Sequence, residues 1–204
     1  MFLHMTTWKK IIKQAFNAGN RVVGNQEGYL FVKTSHTIIW FPDYEIPNKV
    51  KGAIMEWTGK LPEENEIFSA GKEGLQYELP WSEYYNFKKM KTAMKKRYIV
   101  TPALLGDKYQ MLRFLQQAED KTTIRVIDEA YLKLLDPGEL DHMHGEGEIA
   151  GPYGTESGNM FLWKTDFCAL AICGIALHKG ISRAVLEAVR NVDFEGDYSR
   201  LEDA

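Results

Sequence analysis

One stretch limits the fold more than any other. From Gly28 to Phe41, two runs of β-branched and aromatic residues flank the polar segment Lys33 to His36, and Pro42 and Pro47 follow. Such side chains suit a pleated, half-buried surface. Two apolar runs around a short polar interruption predict a β-hairpin. The pattern recurs twice. Tyr109–Leu115 and Thr122–Ile127 surround Ala118–Lys121, and Met160–Ile175 folds around Lys164–Asp166. Phe167–Leu177, eleven apolar residues, also has the character of a buried helix, since its alanines favour neither state.

Helices are predicted between these hairpins. Trp8, Ile11, Ile12, Ala15 and Phe16 form an apolar stripe at helical spacing, with Thr6 or Thr7 as cap and Gly19 as stop. Phe87, Met90, Met94 and Tyr98 predict a second amphipathic helix over residues 84–97. A strand follows over Tyr98–Leu105, with Pro102 placing it at a sheet edge. Asp128 opens a short helix through Leu135, and Ile181, Val185, Ala188 and Val192 mark a last one. Val50–Trp57 reads as helix or strand, and the glycines and prolines of residues 48–80 break that stretch into short pieces. Residues 136–159, with six glycines and no periodicity, read as a loop.

The expected architecture is α+β, with antiparallel hairpins forming one or two sheets packed against amphipathic helices. A helix-plus-hairpin unit is expected to occur twice. The Lys-rich helices of residues 8–16 and 87–97 each precede a hairpin, and Phe31–Ser35 matches Leu162–Asp166 in character. Three segments are expected: a first unit over residues 1–83, a second over 84–192 and an acidic tail over 193–204.

Charge is distributed unevenly along the chain. Residues 1–100 carry 15 Lys and Arg against 10 acids, and residues 101–204 carry 10 against 18. Either these are simply solvated faces, or the halves face different partners or each other. The densest cationic run is Lys88, Lys89, Lys91, Lys95, Lys96 and Arg97, six charges in ten positions with no acid among them. Phosphate-backbone binding needs such a run, because each cation that neutralises a phosphate releases a condensed counterion. A solvated helix, or one paired with the acidic second half, would carry the same charges. The expected partner is nucleic acid or another polyanion.

A second constellation is His142, His144, Glu146 and Glu148, which extended backbone would turn to one side. Imidazole and carboxylate together suit zinc or a similar divalent metal. A metal-dependent enzyme using residues 141–148 is therefore the alternative reading, and a self-assembling structural module is a third. Gly145–Gly151 has neither the spacing nor the charge of a dinucleotide loop, and the P-loop and nucleophile-elbow patterns do not occur. No cofactor is implied, and an accessory binding protein is favoured over an enzyme. Cys168 and Cys173 are five apart, which points their side chains away from each other and suits a reducing, cytoplasmic setting. The apolar run of eleven is short of the roughly 20 residues that span a bilayer, so no membrane partner is expected. Trp40, Trp57, Trp81 and Trp163 read as core or interface anchors, and homo-oligomer contacts are a further expectation.

The repeated helix-plus-hairpin layout resembles the modules of DNA sliding clamps, whose sheets face outward while their helices line a basic channel. The chain is shorter than a typical clamp subunit, and no functional residue of that family is matched. Through the stretch Phe161–Leu170, the whole sequence also resembles uncharacterised bacterial proteins of phage or mobile-element type, a resemblance that implies no activity.

Overall fold

The computed structural model describes residues 2–77, 85–106, 110–136, 138, 149–166, 168–176 and 183–195. Among the described residues there are five α-helices: α1 Met5–Asn17, α2 Asn48–Thr58, α3 Phe87–Ala93, α4 Glu129–Leu132 and α5 Arg183–Arg190. The strands are β1 Arg21–Gln26, β2 Tyr29–Lys33, β3 Thr37–Pro42, β4 Ile67–Gly71, β5 Gly74–Gln76, β6 Lys96–Gly106, β7 Met111–Gln117, β8 Ile124–Asp128, β9 Ala150–Gly154, β10 Met160–Lys164 and β11 Ala169–Cys173. They hydrogen-bond in the order β5-β4-β1-β2-β3-β11-β10-β9-β6-β7-β8, a single antiparallel sheet within a mixed α and β fold. The chain divides into two compact units, residues 1–92, 133–150 and 163–171 in the first, and 93–132, 151–162 and 172–204 in the second.

In the first unit, the pairs Val23↔Val32, Val32↔Ile39 and Leu30↔Phe41 put apolar side chains on one face of β1–β3. Helix α1 covers that face with Trp8, whose ring meets Phe41 edge-on at 6.1 Å. Trp8, Ile11, Ile12 and Ala15 are buried as their spacing predicts, while Phe16 is half-buried. The cap is His4 and neither threonine: its Nδ1 accepts the backbone N–H of Thr7 at 3.2 Å. On the opposite face, Phe31 stacks on Tyr85 at 4.8 Å and Tyr29 packs on Phe87 at 4.9 Å. Because both faces are covered, every residue of β3 is buried. Gly24 belongs to this second face. A Cβ there would lie 2.6 Å from the Phe31 ring and 2.9 Å from Ile67, so only glycine fits. The stretch Val50–Trp57 resolves as helix α2, closed by Gly59 at φ +74°.

In the second unit, Phe114, Ile124 and Val126 form a core against which Ala103, Leu105, Ile175, Val185, Leu186 and Val189 pack. The last three belong to α5, so a final helix is present, but of its predicted stripe only Val185 packs inward: Ala188 is exposed, Val192 lies exposed beyond the helix end, and Ile181 lies outside the described residues. Pro102 sits in a register shift between Val100 and Leu104, a bulge where no ladder N–H is required of it, and the pairing of β6 with β9 is confined to Lys96 and Arg97. One expectation needs correction here. The loop expected over 136–159 contains strand β9, which pairs Gly154 with Lys96 and Tyr153 with Arg97. The third hairpin forms as β10 and β11, and the helical alternative for its second arm falls, since Ala169–Cys173 is strand.

Candidate polyanion-binding segment

The predicted helix over 84–97 is only half realised, because α3 ends at Ala93 and strand β6 begins at Lys96. Its cations therefore lie on two kinds of backbone, in the two units.

In the first unit, Asn86 starts α3. Its Oδ1 accepts the N–H of Lys89 at 3.0 Å, and its Nδ2 donates to Glu27 Oε1 at 2.6 Å. Phe87 anchors the first turn against Tyr29 and Trp40, and Met90 is buried. Those apolar contacts fix the orientation of a seven-residue helix too short to persist alone. Lys88, Lys89 and Lys91 are exposed. Lys88 Nζ lies 3.8 Å from Glu27 Oε2, with both groups well solvated, a pair of small energetic value.

In the second unit, Met94 and Tyr98 are buried, Lys96 is half-buried, and Lys95 and Arg97 are exposed. This is the period of a strand, not of a helix. The backbone explains why extension wins. Lys95 N donates to Gly154 O at 3.2 Å, Ala118 N donates to Arg97 O at 3.0 Å, and β9 pairs alongside. Tyr98 meets Phe161 edge-on at 5.0 Å and lies over Gly154, where a Cβ would collide with its ring.

Acidic groups also stand near this second half of the run. Arg97 Nη1 is 3.5 Å from Glu195 Oε1, and Lys121 pairs with Asp193. The carboxyl of Asp120 titrates below its ordinary value. The hydroxyls of Thr123 and Thr122 are the chief cause, and the charge of Lys96 adds to it. Lys91 and Lys95 make no ion pair among the described residues.

His142, His144, Glu146 and Glu148 lie outside the described residues, as do Trp81, His178 and the tail beyond Glu195. Among the described residues, no three His, Cys, Asp or Glu side chains are placed to hold a metal ion. His36 is exposed at its hairpin turn, Trp40 and Trp163 are buried, and Trp57 is half-buried beside Phe16. No helix among the described residues is long and apolar enough to cross a membrane.

Sequence reasoning missed one charged residue altogether. Arg21 is 1% exposed, and its three side-chain nitrogens meet no hydrogen-bond acceptor among the described residues. Burial lowers its pKa from the ordinary arginine value to about 10. The only signal was a cation opening the apolar start of β1, and that says nothing about depth.

Comparison with protein-family models, with curated proteins and with solved structures finds no match.

Proposed function

We propose that this chain is a nucleic-acid-binding accessory protein that meets the phosphate backbone through Lys88, Lys89, Lys91, Lys95, Lys96 and Arg97. One observation carries the reading: Met90, Met94 and Tyr98 are 5%, 6% and 2% exposed, while Lys88, Lys89, Lys91, Lys95 and Arg97 are exposed. Apolar side chains hold the segment by its inner edge in both backbone states, so the cations are presented without being needed for packing. Neutralising phosphates releases counterions, which makes such binding strongest at low ionic strength.

The order of elements supports a duplicated unit as part of this reading. Helix α1 leads into the antiparallel strands β1–β3 and then α2, and α3 leads into β6–β8 and then α4.

The test is fluorescence anisotropy with a labelled mixed-sequence DNA duplex at about 50 mM salt, where this contribution is large. The wild-type chain is expected to bind, and the triple variant Lys95→Glu, Lys96→Glu, Arg97→Glu to lose most of that binding. Absence of wild-type binding under those conditions would remove the proposal.

A further inference from the structure

The carboxylate that pairs with Arg97, Glu195, belongs to a short segment that uncharged contacts hold in place. After α5, Phe194 turns into the second unit and is 8% exposed. Its N–H donates to Gln116 Oε1 at 3.2 Å, while Gln116 Nε2 donates to Val192 O at 2.7 Å and to Lys121 O at 2.9 Å. Gln116 is itself fully buried, so its amide fastens residues 192–194 by hydrogen bonds that salt does not screen. On either side of Phe194, Asp193 pairs with Lys121 and Glu195 reaches Arg97.

We propose that residues 192–195 act as a tethered competitor for the phosphate site, with the Glu195 carboxylate occupying Arg97 until a nucleic-acid phosphate displaces it. This rests on the nucleic-acid reading above and adds regulation to the same segment. The two kinds of contact divide the work. Phe194 and Gln116 keep the carboxylate permanently close to its cation. The ion pair itself, with Arg97 60% and Glu195 47% exposed, is weak and screened by salt, so phosphate can exchange into it. The tether thus raises the threshold for binding without closing the site.

The experiment compares the wild-type chain, Glu195→Gln and Glu73→Gln in anisotropy titrations with the same labelled DNA duplex at several salt concentrations. Glu73 is an exposed acid of the first unit, and its variant makes the same change in net charge. The proposal expects Glu195→Gln to bind about three- to fivefold more tightly at low salt, the range a surface ion pair covers. Glu73→Gln should match the wild type, and the gap should close as salt rises. Equal affinity of Glu195→Gln and wild type overturns the tethered competitor while leaving the nucleic-acid reading standing. An equal gain in Glu73→Gln does the same, since net charge alone would then be acting. Absence of binding by all three chains overturns both.

Discussion

The guanidinium carbon of Arg21 sits 4.9 Å from the centre of the Phe16 ring, in a place that water does not reach. The ring face attracts the cation, but nothing among the described residues accepts its hydrogen bonds. Desolvation takes its pKa from the ordinary arginine value down to about 10. The sign of the effect follows from linkage. Below the folded-state value both states carry the proton, and the folded one holds it at a cost of about 3 kcal/mol. Between the two values the unfolded chain binds more protons, so the penalty is relieved as pH rises from about 10. Arg21→Met keeps the length and the ring contact while removing the charge. It is expected to stabilise the fold by about 1–3 kcal/mol, read as a higher urea midpoint at neutral pH with unchanged slope. A lower midpoint would show that the guanidinium has compensating partners.

Gly24 carries an opposite expectation. Gly24→Ala drives a methyl group into Phe31, which is pinned in turn by Tyr85. Overpacking of this kind costs about 1–3 kcal/mol. Thermal unfolding should show a lower midpoint, and Phe31→Leu in the same chain should recover part of the loss by vacating the ring's position.

Arg113 and Glu129 form a two-pronged pair, with both nitrogen–oxygen distances 2.8 Å and both side chains 17% exposed. Arg113 also donates to Thr101 O, within the bulge that Pro102 occupies. Glu129→Gln leaves a partly buried cation without its counter-charge, a loss of about 1–3 kcal/mol. The variant should unfold at lower urea, whereas double replacement by apolar residues of similar size should cost less.

Asp120 gives a pH dependence. Its carboxylate accepts hydrogen bonds from the hydroxyls of Thr122 and Thr123 across the β7–β8 turn, at 2.7 and 2.5 Å, which holds its pKa below 3.8. A depressed carboxylate supplies stability that is fully present above the unfolded value and lost as pH falls through the folded one. Asp120→Ala should therefore unfold more easily than wild type at pH 7, with the difference vanishing in strong acid. A gap between the two midpoints that stays constant from neutral to acid pH would contradict this.

Much of the fold was readable because local chemistry and tertiary environment agree. The Tyr29–Phe41 hairpin is β-branched and aromatic, and it became a sheet interior buried on both faces. Met94 and Tyr98 misled for a geometric reason: a separation of four puts two side chains on one side of a helix, and being even, does so on a strand as well. Only pairing with Gly154 and Tyr153 decides between them, and those partners lie in a stretch whose two glycines and one proline conceal strand β9. The apposition of Arg97 and Glu195 joins residues almost a hundred positions apart, so no local pattern announces it. The alternation of exposed Lys95 and Arg97 with buried Met94 and Tyr98 was likewise invisible until the backbone was known to be extended.

The neighbour of strand β3 has a consequence for how the protein can be made. Ile38, Ile39, Trp40 and Phe41 are finished on one side by β2, but on the other by β11, whose Ala169–Ala171 belongs to the same unit. A ribosome releases β3 long before it translates that partner, and through the interval an apolar strand offers an open row of backbone donors and acceptors to any chain nearby. Truncated products ending near Thr92 inherit the same exposure permanently. They should accumulate as aggregates instead of behaving as a separable amino-terminal piece.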